Sequence, residues 1–416
     1  MDPIKLDTTF YHKLLVKKFN LLLNIAQLAG FLPFPAYVLR QDVERLHFRT
    51  LVLTCLNLTF AVLIFLTSFV CYLAMYIYYP DLMYKENLPA VLQIMYHVEN
   101  WLRVVMVLIA LVGPRLSGRY FRETIDTLVH IMKLFDRATK IESILTAISV
   151  ITNRLLLLYG LHALIITVTV WISTEHPVST LLNVSYLAPY VTIAVYILLY
   201  RALLASIAGI VGCLNDNLRE ITIQDRIDPR RTYGKHTTIS YIMLQEGKER
   251  VTSPLDVATI VRLSTMHMAL MRLARAANKH FGVLMLIIVL STFIQINMLL
   301  LELYHNISHP VMPEYCLWVL FLHAIVHFTF FFVIATSNHA IQQENERTML
   351  LLHEFKCSWS SEQNMTIEHF ISQISNLHDV HQACGMLNLD MKLISNAVAA
   401  ITSIMVVLIQ FSDTGL

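Results

Sequence analysis

Apolar residues gather in seven blocks along the chain, near 50–79, 89–113, 144–172, 186–213, 281–304, 315–337 and 391–411. Each reaches the roughly 20 residues that carry a helix across about 30 Å of hydrocarbon. Inside lipid every backbone N–H and C=O must pair within its own segment, so each block is predicted to be a helix and the fold class all-α. An eighth apolar stretch, 21–34, is too short to cross and is stopped by Pro33 and Pro35, which reads as a re-entrant or interfacial segment. Three helices are predicted outside the membrane. Residues 119–136 place Phe121, Ile125, Leu128 and Met132 at three- and four-residue steps, 255–280 repeat that period, and a third helix spans about 366–382. Residues 222–254, broken by Pro229, Gly234, Gly247 and Pro254, read as a loop.

Composition agrees with the pattern. Of 416 residues 56% are hydrophobic and 14% charged, against about a quarter charged in an ordinary soluble domain. A net charge of +2 gives a nucleic-acid partner no electrostatic support. The six cysteines show neither metal-ligand spacing nor a disulfide framework. The first 18 residues, with Lys5, Lys13, Lys17 and Lys18, lack the form of a signal peptide, so the first long apolar run is itself a predicted span.

Charge placement gives direction. Lysine and arginine number seven in 1–49, six in 114–142, eleven in 214–280 and three in 338–392, which leaves Lys85 alone in the opposite loops. Under the positive-inside rule the N-terminus is cytoplasmic and the C-terminus extracellular. The chain then divides into a cytosolic N-terminus with the short apolar segment (1–47), spans one to four (48–213), a cytosolic loop and helix (214–280), spans five and six (281–337), a cytosolic anchor region (338–390), and a seventh span with a short outer tail (391–416).

The seventh span carries the most chemistry. Ser403 and Gln410 lie seven residues apart on one helical face, with Val406 and Val407 between them. Such a polar stripe faces protein or water; alternatively Ser403 bonds back to a carbonyl one turn earlier and Gln410 sits at the interface. The run Ser403-Ile404-Met405-Val406-Val407-Leu408-Ile409-Gln410-Phe411 resembles the C-terminal signature of insect gustatory receptors, Thr-Tyr, five apolar residues, then Gln-Phe. The approach through 383–390 and the stretches Ala335-Thr336-Ser337-Asn338 and 348–353 are similar as well. Ser403 stands for the threonine and Ile404 for the tyrosine. The resemblance implies a homo- or heterotetrameric, ligand-gated, nonselective cation channel in the plasma membrane of sensory neurons, with the last helix lining the pore and a small-molecule tastant as ligand. On this chain it places Gln410 and Phe411 at the closed constriction and Val407 and Ser403 deeper in the pore. Asp413 would then stand at the mouth, or be a solvated tail residue.

Ligand-binding candidates fall in the outer halves of spans two to six: Tyr96, Glu99, Arg103, Trp171, Tyr190, Gln295, Trp318, His323 and His327. Ionisable groups so close to hydrocarbon pair or face a cavity, and Glu99 and Arg103 also have the spacing of a pair along one helix. The tryptophans and tyrosines are equally suited to anchoring at the membrane interface. A largely aromatic pocket suits a bulky, weakly polar molecule. Positions 404–409 are all apolar, unlike the sugar-sensing branch of the family, which points to a bitter or deterrent ligand. No catalytic constellation, cofactor loop or metal motif stands out, His323 and His327 having no evident third ligand. Asn306-Ile307-Ser308 is a sequon on the outer side and a glycosylation candidate. The rival readings are an insect odorant receptor and a G-protein-coupled receptor; the latter needs the opposite orientation.

Overall fold

A computed structural model describes residues 8–29, 47–78, 90–116, 118–135, 137–173, 178–227, 257–308, 313–355, 361–377, 382–383 and 385–413. Its helices are α1 (Thr8–Lys18), α2 (Asn20–Leu28), α3 (His47–Tyr78), α4 (Ala90–Leu116), α5 (Gly118–Leu134), α6 (Ala138–Ser173), α7 (Val178–Ile227), α8 (Val257–Ser308), α9 (Glu314–Phe355), α10 (Ser361–Ser375) and α11 (Met391–Asp413). Seven of them, α3, α4, α6, α7, α8, α9 and α11, are long and apolar enough to cross a membrane. The loop expected at 222–254 lies outside the described residues beyond Ile227, as do Pro33 and Pro35.

Three of the spans outrun the bilayer furthest. α7 has 50 residues, α8 has 52 and α9 has 42; at ~1.5 Å per residue they reach about two to two and a half times the hydrocarbon thickness. The helix expected at 255–280 and the fifth span are therefore one rod. Ala274 to Lys279 are mostly good helix formers, and water replaces lipid around a helix without ending it. The third outlying helix starts and stops earlier than its expected 366–382. Its buried set, Ile367, Phe370 and Ile374, ends at Ser375. A two-residue antiparallel pair follows, β1 (Gln382–Ala383) with β2 (Leu387–Asn388), turning through Gly385 at φ 69°, a value that favours glycine. Asp390 Oδ1 then accepts the Lys392 N–H at 3.0 Å and caps α11.

α7 forms the axis, packed by α6, α9, α3 and α8, and it is buried almost continuously from Thr192 to Tyr200. The described part of the short segment read as interfacial lies in α2, whose Leu22, Leu23 and Ala26 are buried in the same core. The periphery is apolar: α6 exposes Leu157, Leu161, Leu164, Val168 and Ile172, and α3 exposes Val62, Leu63, Leu66 and Val70. Stripes of this size at helical spacing are faces turned to lipid. Away from them, Asp216 of α7 takes Lys140 at 2.6 Å and Arg347 at 2.7 Å, while Asn215 donates to Glu344 Oε2 at 2.8 Å, joining α6, α7 and α9 through ionic groups.

At Gly209 α6 and α7 approach so closely that a Cβ there would lie 2.5 Å from Ile144 Cγ2. That methyl sits on a β-branched side chain, stiff in a helix. Gly209→Val is expected to cost about 1–3 kcal/mol by overpacking, read as a lower thermal midpoint of the purified protein; an unchanged midpoint would show that the helices part freely here.

Candidate ligand pocket and pore face

The C-terminal halves of α3, α6 and α8 and the N-terminal halves of α4, α7 and α9 meet at the end of the bundle away from the basic segments. They enclose a cavity of about 390 Å³. Phe65, Phe69 and Tyr72 of α3, Val104 and Val107 of α4, and Leu299 of α8 give it apolar walls, and Pro189 of α7, which supplies no N–H to its helix, lies at its edge.

Polar groups converge from four helices. Glu99 is 2% exposed, and its Oε1 accepts Arg103 Nε from one turn along α4. Arg103 also donates through Nη2 to Gln295 Oε1 at 2.7 Å and through Nη1 to Asn100 Oδ1 at 3.5 Å. Its guanidinium carbon lies 4.3 Å from the centre of the Tyr186 ring, so hydrogen bonds and a cation–π contact fix the fork from three sides. Tyr96 donates its hydroxyl to the Glu302 carboxylate, which ties α4 to α8.

Beneath this lies a chain of phenols and imidazoles. Tyr186 Oη bonds His323 Nε2, His323 Nδ1 lies 3.1 Å from His162 Nε2, and His162 Nδ1 lies 2.7 Å from Tyr190 Oη. The Gln295 amide N–H, 3.5 Å from His323 Nε2, makes that nitrogen an acceptor; Tyr186 then donates to His323, and each histidine carries its proton on Nδ1 and donates onward. His327 packs edge-on to His323 at 4.5 Å, its two ring nitrogens buried and without a hydrogen-bond partner.

Of the residues the sequence singled out, Tyr96, Arg103, Gln295 and His323 line the cavity, and Glu99 stands directly behind Arg103. Tyr190 and His327 belong to the layer below it. Trp171 and Trp318 point away: they are 53% and 66% exposed on the periphery, where the amphipathic indole suits the membrane interface. Asn306 is buried and donates to the Glu302 carbonyl at 2.8 Å within α8, a poor presentation for a glycan acceptor. The contribution of α3 went unread, although Phe65, Phe69 and Tyr72 keep the four- and three-residue spacing of one helical face.

Among the described residues α11 is fastened mainly along one side. Leu393, Ala397, Ile401 and Leu408 are buried against α8 and α9, and Leu408 joins Met298 and Leu301 of α8. The opposite side is exposed, with Asn396, Ser403, Val406, Val407 and Gln410 along it. Ser403 does bond back, to the Ala399 carbonyl at 3.0 Å, while remaining on the exposed face. Asn396 extends the seven-residue step that Ser403 and Gln410 share, a signal present in the sequence. The helix continues to Asp413, but the side chains of Phe411 and Asp413 lie outside the described residues.

Seven helices able to span a bilayer, around a cavity of about 390 Å³ at one end, define a multi-pass membrane protein. The chain belongs to the 7tm chemosensory receptor family, whose sequence profile matches residues 19–415. Gustatory receptor 59f of Drosophila melanogaster is 27% identical over 175 residues, 41% of this chain and 43% of that protein, so the match spans less than half the relative's length. The gustatory resemblance of the sequence is borne out. The fold is that of the insect olfactory receptor OR5 from Machilis hrabei, with TM-score 0.66 at 10% identity over 96% of this chain and 99% of that one. The same receptor in complex with eugenol gives 0.65 at 11% identity, with equal coverage.

Proposed function

We propose that this chain is a gustatory receptor subunit that forms a tetrameric, ligand-gated, nonselective cation channel in the plasma membrane of sensory neurons. Its N-terminus is inside, and it opens when a deterrent molecule enters the pocket from outside. The observation that carries the reading is the exposed side of α11. A spanning helix that exposes a stripe of polar positions at seven-residue steps, Asn396, Ser403 and Gln410, is better matched to water or to other subunits than to lipid. Four copies around an axis supply both. Valines between the polar rings would then close the path by dewetting, and rotation toward the amides would rehydrate it. The cytosolic parts of α7, α8, α9 and α10 would anchor one subunit to the next.

The pocket supports the receptor half of the reading. The related fold was solved with eugenol, a phenol small enough for a cavity of about 390 Å³, and the aromatic lining with few polar groups suits ligands of that kind. The shared fold equally admits an odorant-receptor subunit, which volatile rather than contact ligands would open.

Expression alone in a heterologous cell, with patch-clamp recording against a broad panel of plant alkaloids, phenols and sugars, tests the proposal. Currents carried by both sodium and potassium are expected for at least one non-sugar compound. Responses to simple sugars alone would overturn the deterrent reading, and saturable uptake without current would overturn the channel. Epitope tags check the orientation: a C-terminal tag is expected to bind antibody on intact cells, and an N-terminal tag only after permeabilisation.

A further inference from the structure

Away from the pocket, two arginines stand within apolar blocks and have no carboxylate partner among the described residues. Arg201 of α7 is partly exposed, and its Nη1 donates to Thr152 Oγ1 of α6 at 3.1 Å. Thr152 gives its own proton to the Ile148 carbonyl at 2.8 Å. The guanidinium is thus tethered along one edge, and its other N–H groups have no acceptor among the described residues. Arg154, two residues beyond Thr152, is exposed and has none either. The nearest acidic groups along these two helices are paired elsewhere. Glu142, ten residues before Thr152, takes Lys18, and Asp216, fifteen after Arg201, takes Lys140 and Arg347.

Depth puts both arginines at the edge of the hydrocarbon. Thr152 lies 19 residues from Trp171, the exposed indole near the opposite end of α6, which is about 28 Å of a layer roughly 30 Å thick. Tyr200, next to Arg201, donates to Asn278 Oδ1 at 2.6 Å and accepts from Asn338 Nδ2. Those asparagines stand just beyond the fifth and sixth apolar blocks, on the side of the basic segments. From Arg154 the exposed face of α6 continues through Leu157, Leu161, Leu164 and Val168, in steps of three and four residues.

We infer that Arg154 and Arg201 hold the phosphate of an anionic phospholipid at the α6–α7 seam, with an acyl chain along Leu157, Leu161 and Leu164. A guanidinium meets phosphate oxygens with paired N–H donors, and basic groups between spanning helices at headgroup level are suited to anionic lipid. An untethered arginine at this depth extends into water, whereas Thr152 keeps the Arg201 fork at the seam. Arg154 is about 3 Å along α6 from Thr152, so one phosphate stands level with both groups. The lipid bridges the two helices that supply His162 and Tyr190 to the layer beneath the pocket, which makes the receptor's stability depend on the composition of that leaflet.

The test uses the full-length receptor, delipidated in detergent, with native mass spectrometry counting bound lipid and the thermal midpoint reporting its effect. The probes are dioleoyl phosphatidylglycerol and dioleoyl phosphatidylcholine, which share their chains and differ in headgroup charge. Retention of phosphatidylglycerol is expected to exceed that of phosphatidylcholine about tenfold, with a rise in midpoint from the first lipid only. One arginine near an anionic headgroup accounts for about fivefold, so Arg154→Gln is expected to lower phosphatidylglycerol retention by that factor. It breaks no hydrogen bond within the chain and therefore reads binding apart from folding. Arg154→Gln combined with Arg201→Gln is expected to remove the preference. Arg272→Gln combined with Lys279→Gln takes the same two charges from exposed positions of α8 and is expected to leave the preference intact. Glycerol phosphate, the soluble headgroup, is expected not to displace the lipid. Equal retention of the two lipids, a preference that survives the first double variant, or an equal loss in the second would overturn the inference. Displacement by glycerol phosphate would overturn it too, by marking a site for any small anion.

Discussion

Arg103→Ala is expected to abolish ligand-evoked current and to lower the thermal midpoint of the purified receptor more than any other single change in the pocket. The reason is the carboxylate it leaves behind. Glu99 is 2% exposed, Arg103 holds its Oε1, and its Oε2 is buried without a hydrogen-bond partner. Removing one member of a buried ion pair costs about 3–5 kcal/mol, because the survivor is an uncompensated charge in a medium that solvates it poorly. The same substitution frees Gln295 and unstacks Tyr186, both of which shape the pocket wall. The double variant Glu99→Gln, Arg103→Gln separates the two effects. With no charge left to strand, most of the lost stability is expected to return while the evoked current stays absent. Arg103→Lys keeps the charge but not the planar fork, and is expected to fall between wild type and alanine in both measurements. A midpoint for Arg103→Ala within a degree of wild type would mean that water reaches Glu99 freely, and the pair would then be no organising centre.

Periodicity and charge made some of this arrangement legible in the sequence and hid the rest for physical reasons. Spans are read from length and apolarity, which the bilayer imposes directly, so all seven were visible. The Glu99–Arg103 pair was visible because it lies on one helix, four residues apart. Tyr96 with Glu302 and Tyr186 with His323 were not, since each joins residues more than 130 positions apart and depends on how two helices rotate about their axes. Rotation also decides Trp318 against His323. Five residues apart on α9, they stand half a turn from one another, and only the packing shows which of them enters the bundle. The aromatic face of α3 was masked by the apolarity of its whole block, where a lining residue and a lipid-facing one have the same hydropathy. Helix ends were hidden where α8 leaves the membrane, because a helix needs no change of sequence to continue into water. The hairpin before α11 hangs on Gly385, a residue whose φ of 69° no pattern of apolar positions announces.

Opposite charges placed at Val407 are expected to change the channel in opposite directions. Val407 is on the exposed side of α11, three residues short of Gln410, and belongs to neither packed cluster that α11 joins in its own subunit. If α11 lines a four-fold pore, Val407→Arg puts four cations around the path of permeating cations, and Val407→Asp puts four anions there. Charge rings act strongly in a narrow, weakly screened passage, so unitary cation conductance is expected to fall about tenfold for arginine and to hold or rise for aspartate. Surface expression is expected to stay close to wild type in both, because the side chain is about half exposed and outside the buried clusters. Leu408→Arg, one residue along, supplies the contrast. Its side chain is buried against Met298 and Leu301, so a charge there is expected to prevent folding and remove the receptor from the cell surface. A lipid-facing Val407 would give a different signature, since a charge exposed to hydrocarbon is unfavourable whatever its sign. Arginine and aspartate would then reduce expression together and leave the conductance of the surviving channels untouched. The sign of the aspartate effect therefore decides whether the bare face of α11 looks into water or into lipid.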